Sequence, residues 1–199
     1  MKKIILASAS PRRKELLEKI GLKFEVEPGA CQEIVDKDLE PHELVQKLSR
    51  EKAEAVARKY RNAVVIAADT VVLIDGKILG KPKSPTEAKK MLRVLSGKSH
   101  VVITGFTIID TSQRRILSKA AETKVYIREL NPEEIDAYVK SGEPLDKAGA
   151  YGIQGLGSVI VEKIEGDYFN VVGLPLSALA ESLKEFGVDV WGNWLRECR

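Results

Sequence analysis

The sequence predicts an α/β fold in which helices flank a mixed sheet. Apolar runs of strand length, at Lys3 to Ala7, Ala63 to Ile74 and His100 to Asp110, are interleaved along the chain with segments of helical period such as Arg12 to Ile20 and His42 to Tyr60. Glycine- and proline-bearing turns separate them. At 199 residues the chain can form one substantial domain, or one domain with two lobes across a cleft. No repeat, low-complexity tract or long linker divides it, so residues 1–199 are read as a single domain.

Bulk properties narrow the function. A formal charge of +3 is too small to imply a nucleic-acid or membrane partner. Aromatic residues make up 6% of the chain and do not interleave with basic ones, which argues against a single-strand platform. Cys31 and Cys198 stand too far apart in sequence for a disulfide framework or a zinc spacing, and a reducing cytoplasm is the simplest compartment. The N-terminal apolar run is broken by Ser8, Pro11 and two arginines, unlike a signal peptide. No apolar stretch approaches the roughly 20 residues of a membrane-spanning helix.

The first strand feeds a helix with Ser10 as N-cap and Pro11 as first residue. Free backbone N–H groups and the positive dipole end make such a start a site for anions. Arg12 and Arg13 add cations where acidic residues are usual. That placement fits a phosphate chain; the alternative is that both point into water or pair with Glu15 and Glu18. Gly21 ends the helix, Leu22 to Val26 reads as a short strand, and Pro28 to Asp38 as a loop carrying Glu33, by pattern a solvated carboxylate.

Pro41 opens a long helix to Tyr60, in which Leu44, Leu48, Lys52, Val56 and Tyr60 follow at steps of four. Lys52 thus interrupts an apolar stripe, and it either snorkels to water or presents its ammonium to something in a cleft. Asp69, followed by Thr70, breaks the most apolar run of the chain, and a buried carboxylate needs a hydrogen bond, a cation or a cavity. Asp75-Gly76 suits a type I′ hairpin returning through Lys77 to Leu79, with Lys81 in the loop beyond. Ser84 to Glu87 reads as a capping box for a helix ending at Gly97.

Strands are expected at His100 to Asp110 and Lys119 to Arg128, paired through a turn near Ser112, with Ala121, Thr123, Val125 and Ile127 on one face. His100 has no second histidine at ligand spacing and reads as a packed or capping residue. A short helix starts at Asn131-Pro132. Gly149 to Gly157 contains four glycines, which permit close approach of backbone to a ligand, but lacks the ending of a Walker A loop. Gln154 within it is either an exposed loop residue or a reader of a base edge. Val159 to Ile164 and Tyr168 to Val172 are expected to form a second hairpin, and Leu176 to Phe186 the last helix.

Taken together, Ser8-Ala-Ser-Pro-Arg-Arg13, Ala67-Ala-Asp-Thr70, Gly80-Lys-Pro82, Ser96-Gly97 with His100, and Lys147 to Gly155 resemble the Maf family of nucleoside triphosphate pyrophosphatases, in the family's order. The resemblance implies a two-lobed fold around a central groove, similar to that of inosine triphosphate pyrophosphatases, and a homodimer. It also implies cleavage of a nucleoside triphosphate to monophosphate and pyrophosphate with Mg²⁺ or Mn²⁺. By the same resemblance Asp69 matches the catalytic acidic position, Ser8, Arg12, Arg13, Lys52 and Lys81 match phosphate-site positions, and Glu33 matches an acidic position tied to metal or catalysis; Asp69, alone or with Glu33, is expected to hold the cation. Arg12, Thr70 and Gln154 match the branch acting on dTTP and UTP rather than that acting on 7-methyl-GTP. The other readings are a non-catalytic binder of nucleotide or nucleic acid in cell-division control, and a pyrophosphatase for a methylated or modified nucleotide.

Overall fold

A computed structural model describes residues 2–29 and 39–192. Seven strands form one sheet in the order β2-β1-β3-β5-β6-β7, with β4 added to β3. In chain order the elements are β1 (Lys3–Leu6), α1 (Pro11–Lys19), β2 (Glu25–Val26), α2 (Pro41–Ala57), β3 (Ala63–Ile74), β4 (Lys77–Leu79), α3 (Pro85–Leu95), β5 (Ser99–Asp110), β6 (Arg115–Ile127) and α4 (Pro132–Lys140). Three single turns of 3₁₀ helix, Glu143–Asp146, Ala148–Ala150 and Gly155–Val159, then lead to β7 (Val161–Gly166), α5 (Tyr168–Val172) and α6 (Leu176–Lys184). No described helix is long and apolar enough to cross a membrane.

The chain divides into two compact units. The first takes its described residues from Met1–Asp69, Thr104–Ala121 and Gly173–Arg199, the second from Thr70–Ile103 and Glu122–Val172. In the first unit β1 pairs in parallel with both β2 and β3, Leu6 lying level with Val26 and Ile66. Ile5, Val65, Ala67 and Ile109 pack with Ala53 and Val56 of α2. The helix backbone lies directly on β5: a Cβ on Gly105 would fall 2.4 Å from the carbonyl of Val45. Ser49 Oγ also meets Thr107 Oγ1 at 2.8 Å, so α2 is fixed by a close approach and a buried hydroxyl pair.

In the second unit Val72, Leu92, Val125, Ile127, Ile135 and Tyr151 form the centre of an apolar cluster. The β3–β4 hairpin turns through Asp75 and Gly76 at φ 48° and 72°, the two left-handed residues that a type I′ turn requires. Along β6, Thr123, Val125 and Ile127 are buried on one face, as their alternation predicts. Asn131 and Glu134 form a full capping box at α4. At α3 only half of one forms: Ser84 Oγ accepts the Glu87 N–H at 3.2 Å, while the Glu87 carboxylate reaches back to the N–H of Lys83.

Two expected elements differ. The strand foreseen at Leu22 to Val26 is only Glu25–Val26, because Gly21 at φ 70° and Leu22, whose N–H donates to Leu17, are spent closing the end of α1. The second hairpin does not form. β7 pairs with β6 instead, and Tyr168–Val172 is helical because Asp167 Oδ1 accepts the Phe169 N–H and starts α5. The side chain of Asn170 in α5 is fully buried and donates to the Val102 carbonyl and to Thr123 Oγ1.

His100 is packed, as its isolation in sequence predicts: Nε2 lies 2.7 Å from the Tyr151 hydroxyl, and the rings meet edge to face. Nδ1 is buried with no hydrogen-bond partner. Burial pushes the imidazole pKa down to about 4. The unfolded chain therefore takes up a proton near pH 6.5 that the folded chain refuses until about pH 4, and stability falls as the pH drops through that window. The expected loss attributable to this residue is on the order of 3 kcal/mol. Urea denaturation of wild type and His100→Gln between pH 7 and 4 checks it, since the variant lacks that component of the slope.

Candidate active site

Parallel register decides where the first turn lies. Leu6 is level with Ile66, and the Ala7 N–H donates to the Ile66 carbonyl at 2.8 Å, so the chain leaving β1 runs beside Ala67 to Asp69 of β3. β1 sits between β2 and β3, so the chain steps outward to β2 and then crosses back past β1 to β3. The carboxyl ends of strands at such a reversal are where open α/β sheets take ligands.

Ser10 occupies the N-cap of α1 with extended backbone and Pro11 follows as the first residue, but the Ser10 side chain makes no capping bond. Ser8 supplies the turn's hydrogen bond instead, its Oγ accepting the Ser10 N–H at 3.2 Å. The first turn of α1 has no acidic residue. Arg13 bends back from it: Nη1 donates to the Ala68 carbonyl at 2.8 Å and to Ser8 Oγ at 3.4 Å, and Nε donates to the Gly173 carbonyl at 2.8 Å. One planar guanidinium thus fixes the turn, the residue preceding Asp69, and the start of the segment leading to α6. Arg12, the adjacent residue, is half-buried.

Asp69 is buried in β3, and its Oδ1 accepts a hydrogen bond from the Lys52 ammonium. Lys52 does not run out to water: its ammonium is delivered to Asp69, the one carboxylate of the apolar strand. α2 can do this because Ala53 and Val56 bury the neighbouring face and Gly105 lets the helix come close. Ser8, Arg13, Lys52 and Asp69 therefore form one cluster within the first unit, around the β1–α1 turn.

The remaining candidates lie elsewhere in the chain. Thr70 follows in β3 and is half-buried; Lys81 is exposed beyond β4. Gln154 is half-buried, with extended backbone, at the head of the third 3₁₀ turn. Glu33 lies outside the described residues. Sequence reasoning passed over Tyr138 and Glu143, which organise the glycine-rich loop: the Glu143 carboxylate accepts the N–H groups of Leu156 and Gly157 and the Tyr138 hydroxyl. The spacing of Gly152, Gly155 and Gly157 was the available signal, because three glycines so close mark backbone packed against something.

Among the described residues no three His, Cys, Asp or Glu side chains gather to hold a metal ion. Mg²⁺ that keeps several waters needs only one or two carboxylates plus substrate phosphates, and Asp69 is the carboxylate of the described cluster.

A mixed α/β sheet with a buried Lys52–Asp69 pair in β3 and an Arg13-braced turn beside it defines the class, an α/β protein. The model of the Maf-like protein family matches residues 3–186, and the chain belongs to that family. It is 52% identical over 193 residues to a dTTP/UTP pyrophosphatase of Moorella thermoacetica, covering 97% of this chain and 100% of the relative. Relatives of the same name from Caldicellulosiruptor saccharolyticus and Bacillus cereus are each 50% identical, over 96% of this chain and 98% and 93% of their own. Among solved structures, the Ham1 protein of Staphylococcus aureus overlaps with a TM-score of 0.48 and 16% identity over 80% of each chain.

Replacing Arg13 by Lys keeps the charge but removes the fork that serves two backbone carbonyls. Arg13→Lys is expected to cost about 1–3 kcal/mol of stability. Chemical denaturation checks it, and a loss below about 0.5 kcal/mol, the range of ordinary surface changes, would contradict the bracing role.

Proposed function

We propose that this protein is a nucleoside triphosphate pyrophosphatase acting on dTTP and UTP, with Mg²⁺ or Mn²⁺ as cofactor. The observation that carries the reading is the pairing of Lys52 with buried Asp69 beside the Arg13-braced turn of α1. Relatives at 50–52% identity over nearly the whole chain bear the name of that activity.

The chemistry asks for little beyond positioning and charge. A water oxygen attacks the α-phosphorus, the bond from that phosphorus to the α–β bridging oxygen breaks, and pyrophosphate departs with the electron pair. A triphosphate brings about four negative charges, and the leaving group gains more. The start of α1 with its arginines and the Lys52 ammonium answer that charge. A divalent cation held by Asp69, alone or with Glu33, would neutralise phosphate oxygens and lower the pKa of a coordinated water. Asp69 orients or deprotonates the attacking water, and Lys52 keeps the carboxylate aimed.

The family resemblance assigns Lys81 to the phosphates, Glu33 to metal or catalysis, and Arg12, Thr70 and Gln154 to base selection; these roles belong to the proposal. Uracil and thymine share an N3–H donor beside an O4 acceptor, and a glutamine amide complements both in one orientation. Cytosine reverses the pattern.

The test is pyrophosphate release from a panel of nucleoside triphosphates with Mg²⁺, comparing wild type with Asp69→Asn. Turnover of dTTP and UTP is expected to exceed that of dCTP and the purine nucleotides, and to fall at least about 100-fold in the variant. Equal rates for wild type and Asp69→Asn, or no release from dTTP and UTP, would sink the reading.

A further inference from the structure

The glycine-rich loop is a clamped object. Glu143 stands at the start of the first 3₁₀ turn, and its carboxylate faces the loop. Oε1 accepts the Tyr138 hydroxyl at 2.9 Å and the Gly157 N–H at 3.0 Å, and Oε2 accepts the Leu156 N–H at 2.8 Å. The Tyr138 oxygen in turn accepts the Gly152 N–H at 3.1 Å. Both ends of Gly152–Gly157 are thus tied to the same phenol–carboxylate pair, with Gln154 between them.

Sterics close the same loop. A Cβ on Gly157 would stand 1.9 Å from the Gly152 carbonyl oxygen and 2.7 Å from the Tyr138 oxygen. Gly155 takes φ 65°, and a Cβ there would stand 2.5 Å from Glu143 Oε2. Lys147 passes beneath Gly152 and sets its ammonium on the Glu143 carbonyl and on Asp146. Burial alone would raise the Glu143 pKa, but the N–H donors of Leu156 and Gly157 and the Tyr138 hydroxyl hold it below the ordinary carboxyl value. The acceptor-only form is therefore the one present at neutral pH.

A loop held this rigidly has a reason beyond stability. A loop backbone fixed in advance reduces the ordering cost that a base-contacting side chain pays on binding, and so sharpens its choice between donor patterns. We propose that Tyr138 and Glu143 are positioning residues for base selection, holding the Gly152–Gly157 loop so that Gln154 meets the pyrimidine in one orientation. The inference rests on the reading of Gln154 as the base-contacting residue. The clamp acts through the loop, and its effect is on discrimination rather than on the bond-breaking step.

Glu143→Gln is the sharp variant. An amide of the same shape has one acceptor oxygen for donors that converge on two, so its NH₂ must face a backbone N–H. Tyr138→Phe is the second variant and releases Gly152 with smaller change. Three readouts are compared across wild type, both clamp variants and Gln154→Ala: amide hydrogen exchange in the 152–159 segment, kcat and KM for dTTP, and the ratio of kcat/KM for dTTP to that for dCTP. Each clamp variant is expected to speed exchange, to raise KM with little change in kcat, and to lower the dTTP preference about tenfold. Faster exchange with the preference intact, or kcat falling alike for all nucleotides, would overturn the positioning role. If Gln154→Ala leaves the preference unchanged, the base-contact reading fails and the proposal with it. If Gln154→Ala lowers the preference and the clamp variants change nothing, the clamp alone is refuted.

Discussion

The buried carboxylate of Asp69 is the constraint to which the first unit answers. A charge in the most apolar strand of the chain is tolerated only with a partner close by, and breaking a buried pair by removing one partner costs far more than the pair itself contributes. Lys52 is that partner, and α2 must lie close enough to deliver it. Hence Gly105, whose missing side chain admits the helix, and hence the hydroxyl contact between Ser49 and Thr107. These features look like ordinary core packing, yet together they set where one ammonium meets one carboxylate.

The turn before α1 makes a second demand. Two arginines at a helix start oppose the dipole, and the sequence left two explanations, an anion or dispersal into water and local ion pairs. Arg13 follows neither simple path: it donates inward to Ala68, Gly173 and Ser8. Its charge remains near the helix start while its hydrogen bonds hold the backbone that presents Asp69. The same residue thus contributes field and rigidity, and Lys would supply only the first.

Much of this was legible from residues alone. Periodicity placed α1 and α2, and Asp75-Gly76, Asn131-Pro132 and the alternation of Thr123, Val125 and Ile127 mark their turn, cap and strand correctly. The step-four series through Lys52 and the break at Asp69 each announce an expensive group. That they meet was not legible, because the meeting depends on how closely α2 approaches β5. The failures have a common physical cause. Leu22 and Tyr168 to Val172 carry apolar, strand-like residues, but local hydrogen bonds, the closing turn of α1 and the Asp167 cap, took those segments first. Tyr138 and Glu143 escaped notice because a carboxylate that serves backbone N–H groups leaves no spacing signature of its own.

The central claim is that Lys52 and Asp69 act as one unit in turnover. A double-mutant cycle on kcat/KM for dTTP, using Lys52→Met, Asp69→Asn and the pair together, measures it directly. Strong coupling is the predicted result, with the double variant scarcely slower than the slower single variant. Losses that simply add would show that the two side chains work independently, and would contradict the account.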